Sequence, residues 1–236
     1  MRIVDFSPSH AEEAARLHID GQPGTFLSSL GPEVLTVLYR VLPQSSAGFG
    51  YAMMGSPAGE APADEAPADE APVGEAIVGE GLAGFVSATT GVGSLFVDVL
   101  TRRLGQFLPA LARCYARHPR LIWRSAQTLA YPLLVGHGAD GAHSTAELLS
   151  IMVKPSLRSH GIGALLVNAL VAECTARRID LLDVTVDAQN QGARRFYERH
   201  QFQMLRAFAL YGRTMCIYQR TLAQHDGQSG RQPTEH

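Results

Sequence analysis

The segment Val153–Ala164 (Val-Lys-Pro-Ser-Leu-Arg-Ser-His-Gly-Ile-Gly-Ala) concentrates residues that could hold a ligand. A strand pattern ends at Val153. A loop then carries Arg158, Ser159, His160 and Gly161, and a helical pattern opens with Ile162, Gly163 and Ala164. Gly161 and Gly163 have no side chain to keep a ligand away, so backbone N–H groups can approach it closely. The unpaired N–H groups and partial positive charge of a helix start lie beside them, and Arg158 adds a full charge just upstream. Together these suit a pyrophosphate. Two nucleotide-binding readings fail on residue identity. A dinucleotide fingerprint needs a third glycine where Leu166 stands. A P-loop needs Lys-Ser/Thr after its last glycine, and here Ala164 and Leu165 follow. Taken alone, Gly-x-Gly also describes a structural tight turn.

A second segment follows about 30 residues on. Val184-Thr-Val-Asp-Ala-Gln-Asn190 leads into Ala193-Arg-Arg-Phe-Tyr197-Glu-Arg-His-Gln-Phe202. Asn190 and Tyr197 are seven residues apart, two turns along one helix face. Arg158-x-x-Gly161-x-Gly163-Ala164 after a Leu-x-Ile-x-Val-x-Pro strand, with this second segment in register, resembles the acyl-CoA-binding core of the GNAT N-acetyltransferase superfamily. The motif-bearing part spans about 146–210, while residues 1–55 and 81–90 match in pattern only.

The resemblance implies transfer of an acetyl group from acetyl-CoA to an amine. It assigns the 158–164 loop (Arg158, Ser159, His160, Gly161, Ile162, Gly163, Ala164) to the CoA pyrophosphate. It assigns the backbone of Ile151, Met152 and Val153 to the pantetheine arm, where splaying parallel strands leave groups for the cofactor to satisfy. The N–H of Met152 or Val153 would polarise the thioester carbonyl. Asn190 would contact the CoA arm; capping its own helix is compatible with that. Tyr197 is the expected general acid, because a phenol near pKa ~10 matches a thiolate leaving group; a core aromatic beside Phe196 is the alternative. Glu147 is the expected general base, acting with a raised pKa or through water; an exposed acid at a strand edge is the alternative. His143 and Asp187 are further base candidates. The chain departs from the family pattern in two places. Gln201 stands where a glycine ends the Tyr-bearing helix, and residues 91–145 replace a short hairpin.

These residues need elements to hold them. Alternation predicts strands at 2–6, 48–54, 82–88, 147–153, 181–186, 203–210 and 214–221. Capping and periodicity predict helices from Ser9 to about Asp20, from Pro32 to about Leu42, over 161–178 and over 191–200. Residues 21–31 read as loop. Residues 94–130 read as helical, kinked at Pro109 and broken at Pro119, with Phe96, Leu100, Leu104, Phe107, Leu108, Leu111 and Tyr115 on one arc and Arg102, Arg103, Arg113 and Arg117 opposite. The order strand–helix–strand–helix from 147 predicts a parallel pair. The expected fold is α/β (α+β), a GNAT-type mixed central sheet flanked by helices. A single domain is expected over 1–222, with an acidic insert at 55–80, a mainly helical insertion at 91–145, the acyl-CoA core at 146–210 and a tail at 223–236.

Composition sets outer bounds. The chain has 236 residues, 46% apolar and 18% charged, which is an ordinary globular balance. Its net charge of −2 hides an uneven spread. Glu60, Glu65, Glu70, Glu75 and Glu80 recur every five residues with Pro62, Pro67 and Pro72, a period that fits neither helix nor strand, so this stretch reads as a disordered loop. Setting aside its seven acids leaves 15 acidic against 20 basic residues, a body at +5. That charge is too diffuse to indicate nucleic acid. Arginines dominate, Lys154 being the one lysine, and those at 102–124 suggest an anionic small-molecule amine such as an amino sugar phosphate. A basic amphipathic helix can also lie on a membrane surface. A non-catalytic acyl-CoA-binding module and a protein N-acetyltransferase are the other readings. Three widely spaced cysteines do not make a disulfide framework, no metal-ligand spacing occurs, and no apolar run reaches the ~20 residues of a membrane span. The expected location is cytoplasmic, and a homodimer is allowed.

Overall fold

The computed structural model describes residues 1–55, 81–91, 103–127 and 144–222. The readings made on the acidic repeat, on 94–102, on 128–143 (His143 included) and on the tail lie outside them.

Seven strands form one mixed sheet: β1 (Arg2–Asp5), β2 (Gly48–Met54), β3 (Leu82–Thr89), β4 (Thr145–Val153), β5 (Leu181–Asp187), β6 (Gln203–Leu210) and β7 (Arg213–Thr221), in the order β1-β2-β3-β4-β5-β7-β6. Every neighbouring pair is antiparallel except β4 and β5, the predicted parallel pair. Parallel strands need a crossover, and α5 (Ile162–Ala176) supplies it. On one face, Leu166, Val167, Leu170 and Cys174 of α5 pack on Ala146, Leu148, Leu182, Val184 and Tyr218. The near-continuous apolar sequence of this helix suits its burial. On the other face, α1 (Ala11–Gly21) and α3 (Gly31–Val41) place Ala14, Ala15, Leu17, Leu35 and Tyr39 against Phe6, Ala52, Phe85 and Met152. Helices on both sides of a mixed sheet give the expected α/β architecture.

The first helix begins later than its sequence predicts. A 3-10 turn over Pro8–His10 precedes α1, so Ser9 lies inside that turn and caps nothing. The expected loop at 21–31 contains a short helix, α2 (Phe26–Ser29), whose Thr25 side chain accepts the Ser28 N–H. In the insertion, α4 (Leu104–Arg117) ends at Arg117, and a second helical segment covers 121–127. Pro109 sits inside α4, and the break falls around Pro119 as expected. The buried face of α4 is Phe107, Ala110 and Cys114, packed on Val34 and Val41 of α3 and on Leu121. Leu104 and Leu108, expected on the buried arc, are exposed. Neighbouring elements on one side of α4 alone decide which part of a broad apolar stripe is covered.

Among the described residues no helix is long and apolar enough to cross a membrane. Cys114, Cys174 and Cys216 are buried thiols; burial pushes the Cys174 thiol up to about 12.

Candidate active site

The site is built where β4 and β5 part. They pair only from Thr145↔Leu181 to Leu148↔Val184. Beyond that point β4 stays with β3 as far as Gly84↔Val153, while β5 stays with β7 as far as Asp187↔Met215. A bulge marks the parting. Ser87 pairs with Ser150 and Ala88 with Leu148, which leaves Leu149 extra. Such a bulge re-aims side chains. Before it, Ala146 and Leu148 face α5, and after it Ile151 and Val153 do. Glu147 before the bulge and Ser150 and Met152 after it therefore share the face covered by α1 and α3. Leu149 packs toward Leu210, Tyr211, Met215 and Ile217 of the last hairpin.

At the far end of β4, the glycine loop turns into α5. Ser159 (φ 67°) and Gly161 (φ 80°) both occupy the left-handed region. No side chain caps the helix start at Gly161, so its first N–H groups are not taken up by a capping side chain. The Arg158 guanidinium donates to the Val153 carbonyl at 3.3 Å, folding back along the strand end, and His160 Nδ1 lies 2.8 Å from the Arg158 carbonyl. The two glycines do different work. A Cβ on Gly161 would meet nothing within 4 Å, so its requirement is conformational, whereas one on Gly163 would come within 3.2 Å of the Phe196 ring. Gly163 thus sets the approach of α5 to α6 (Gln191–Arg199), a packing role that the ligand-approach reading of the sequence did not include.

Asn190 caps α6, its Oδ1 accepting the Ala193 N–H at 3.0 Å. Tyr197, on the same helix, is 5% exposed between the rings of Phe196 and Phe202. Burial pushes its phenol above the usual tyrosine range and keeps it protonated at neutral pH. It belongs to the apolar cluster that also holds Ile162 and Val186, with Ile151 packed against it. Gln201 ends the helix at φ 66°, the left-handed conformation expected there, at a cost of about 1 kcal/mol relative to glycine.

Glu147 is not an exposed edge acid. It is 6% exposed in the middle of the sheet, beside Thr89 of β3 and Asp183 of β5, with the Thr185 hydroxyl 3.5 Å from Oε1. Asp187 is held by Arg213 at 3.1 Å and by the Gln189 N–H, which fixes it as a turn anchor. Phe26 of α2 stacks on Tyr211 in the β6–β7 turn, with ring centroids 5.0 Å apart. This contact joins α2, beside the α1–α3 layer, to the hairpin beyond β5.

Sequence reasoning missed one buried polar chain. Tyr39 donates to Ser150 Oγ at 3.1 Å, and its oxygen is bonded to His18 Nδ1. With the phenol proton directed at Ser150, the His18 proton resides on Nδ1. Nε2 is then a buried lone pair with no hydrogen-bond partner among the described residues. Burial accordingly depresses His18 to about 4. Its position on the apolar face of α1, in register with Ala11, Ala14 and Ala15, was the available signal. Two arginines of the insertion turn elsewhere. Arg103 bonds to Gln44, and Arg113 pairs with Glu33 at 2.7 Å. Arg113 also borders a groove of about 400 Å³ between α1, α3 and α4 that shares no residue with the glycine loop.

Comparison with known proteins agrees with this geometry. The model of the acetyltransferase (GNAT) family matches residues 121–202, which include β4, the glycine loop, α5 and α6. No curated protein matches the sequence. Among solved structures, Arabidopsis thaliana NAA60 in complex with acetyl-CoA is 16% identical, covers 94% of this chain and 98% of its own, and superposes with a TM-score of 0.55. The Escherichia coli ribosomal-protein-S18-alanine N-acetyltransferase is 13% identical, with 98% of each chain covered and a TM-score of 0.52. Ard1 from Thermoplasma volcanium is 13% identical over 94% of this chain and 98% of its own, with a TM-score of 0.52. At such identities the likeness is one of fold.

Proposed function

We propose, from the match of residues 121–202 to the GNAT acetyltransferase family, that the chain carries an acetyl group from acetyl-CoA to the amine of a small molecule. The observation that carries this reading is the parting of β4 and β5 at Leu149, opposite a helix start without a capping side chain and beside Arg158. These residues fit acetyl-CoA. The first N–H groups of α5 and the Arg158 guanidinium hold the diphosphate. The edge of Ile151, Met152 and Val153 that β5 leaves unpaired bonds the amides of the cofactor arm, with the Val153 carbonyl shared with Arg158. When bound, acetyl-CoA supplies an acyl group on a thioester.

The remaining roles belong to this chain. The N–H of Met152 or Val153 polarises the acyl carbonyl. Glu147 takes the proton that the amine loses as its nitrogen bonds to the acyl carbon, directly or through water. Tyr197 gives its proton to the sulfur as the carbon–sulfur bond breaks. Asn190, capping α6, keeps the Tyr197 helix in place. The acceptor reading rests on the buried carboxylate of Glu147 beside Asp183, which favours a cationic amine. Arg103 and Arg113 are engaged by Gln44 and Glu33 and lend no support to an anionic group on the acceptor.

A second reading, acetylation of a protein amine, draws on the ribosomal-protein-S18-alanine N-acetyltransferase among the similar folds. Thiol release from acetyl-CoA, measured over polyamines, amino sugars, amino sugar phosphates and short peptides, separates the two. Turnover with small amines well above that with peptides is expected. Turnover confined to peptides favours the second reading. Calorimetric CoA binding with no thiol release from any amine makes the chain a non-catalytic acyl-CoA-binding module.

A further inference from the structure

On the sheet face under α1 and α3, the β3–β4 pair changes character at the bulge. Phe85 lies opposite Met152, and both belong to the apolar cluster that holds Leu35 and Tyr39. Ser87 opposite Ser150 comes next, then Thr89 opposite Glu147. Directly opposed residues of two strands share a face. Phe85, Ser87 and Thr89 alternate along β3, so all of these side chains lie on the α1–α3 side. Two polar pairs are therefore buried beside the point where β5 leaves β4. Their exposure is unequal. Ser87 and Thr89 on β3 are 0% exposed, whereas Ser150 and Glu147 on β4 are each 6% exposed. What access remains reaches the two β4 members.

Ser150 is also the end of a hydrogen-bond chain with one direction. Burial keeps the Tyr39 phenol protonated and the His18 ring neutral. His18 Nδ1–H donates to the Tyr39 oxygen, and the Tyr39 O–H donates to Ser150 Oγ at 3.1 Å. Each hydrogen inside the chain is spent on the next member. The Ser150 hydrogen is left over, because Tyr39 is the one hydrogen-bond partner of the Ser150 side chain among the described residues. Hydrogen bonds in series polarise one another, which strengthens the last donor. A neutral chain that ends on a donor suits an oxygen that gains negative charge. It does not suit a nucleophilic nitrogen, whose lone pair the donor would occupy. Ser150 directly precedes Ile151, Met152 and Val153, the segment assigned to the cofactor arm.

We propose that the Ser150 hydroxyl donates to the acyl oxygen of the thioester, with Tyr39 and His18 as the positioning residues that aim it; the inference rests on the acetyl-transfer reading. Ser150 holds the electron pair that moves onto that oxygen as the amine nitrogen bonds to the acyl carbon. It lets the pair return as the carbon–sulfur bond breaks, and it keeps its own proton throughout. The test is the carbonyl stretch of acetyl-CoA carrying carbon-13 at the acyl carbon, read by isotope-edited infrared difference spectroscopy on the intact protein without acceptor, together with steady-state thiol release. Binding is expected to lower the carbonyl frequency. Ser150→Ala is expected to undo part of that shift and to lower kcat roughly 10²-fold, with KM for acetyl-CoA changed less than about threefold. Tyr39→Phe keeps the ring contacts with Phe6 and Phe85 and is expected to move both readouts the same way by less. His18→Leu is expected to act likewise, and His18→Asn, which returns an N–H near the place of Nδ1–H, to recover most of kcat. Packing alone would give no such recovery. Ser87→Ala, opposite Ser150 and outside the chain, is expected to leave the band in place and kcat within about twofold. An unmoved band in Ser150→Ala overturns the proposal. So does an equal kcat loss in Ser87→Ala, which would make the effect one of buried polarity. Should Ser150→Ala fail to fold by far-UV circular dichroism, Ser150→Cys, a weaker donor of similar shape, takes its place with the same expected direction. Absence of calorimetric acetyl-CoA binding to the unaltered protein means that the acetyl-transfer reading has failed. Binding with a band that ignores position 150 means that this proposal alone has failed.

Discussion

At the scale of single residues, the two glycines of the loop make separable predictions. Gly161→Ala places a Cβ in open space on a left-handed backbone, so stability falls by about 1 kcal/mol while the changed loop weakens CoA binding. Gly163→Ala brings a Cβ to 3.2 Å from the Phe196 ring inside a helix, so up to about 1 kcal/mol of helix propensity is set against the shift the ring must make, and stability changes less than in Gly161→Ala. Urea melts and CoA calorimetry on both variants test this, and equal stability losses would refute the division. Tyr197→Phe keeps the ring contacts with Phe196 and Phe202 and removes the proton. It is expected to lower kcat by roughly 10²-fold with folding retained, within the range of general acid–base catalysis. An unchanged kcat would make Tyr197 a packing residue only. The loop, Asn190 and Tyr197 were legible in the sequence because they sit at fixed spacings on one strand and two helices. The burial of Glu147 was not, because it depends on which strands flank β4.

At the scale of elements, the His18–Tyr39–Ser150 chain ties α1, α3 and β4 together next to the bulge. His18 folds as a neutral ring, since protonation would put a charge on a buried nitrogen that lacks a partner. Its folded pKa of about 4 lies below the unfolded value of 6.5. The unfolded chain therefore binds the extra proton between those values. The stabilisation is complete above pH 6.5 and is lost as pH falls toward 4, on the order of 3 kcal/mol in all. His18→Gln is expected to be less stable at neutral pH and to show a flatter decline from pH 6.5 to 4, measured by urea melts. A decline as steep as that of the unaltered protein would mean that other groups cause it. The start of α1 was misread because Ser9 has the composition of a cap, whereas Pro8 favours a preceding 3-10 turn. The covered edge of α4 was misread because helical period gives a stripe's direction but not the width its neighbours cover.

At the scale of the whole molecule, residues 56–80 leave and re-enter the sheet at one place. Met54 pairs with Leu82, and the Gly55 N–H bonds to the Gly81 carbonyl at 3.0 Å. A short turn can span that separation. Replacing 56–80 by a two- to four-residue turn is expected to leave acetyl transfer intact and to raise stability by about 1–2 kcal/mol through the smaller closure entropy. Thermal melts and thiol release check it; lost activity would give the acidic repeat a part in function.

The sequence by itself determined the order of elements, the parallel pair within a mixed sheet, the glycine loop and the left-handed end of the tyrosine helix. Each of these depends on chain-local geometry: side-chain period, glycine conformation and the residues next to a helix start. Only the tertiary structure decided that Leu149 is a bulge, that the strands part there, and that Glu147 is buried and His18 bonded across three elements. Those facts depend on contacts between segments far apart in the chain, and no local pattern encodes which neighbour will cover a given side chain.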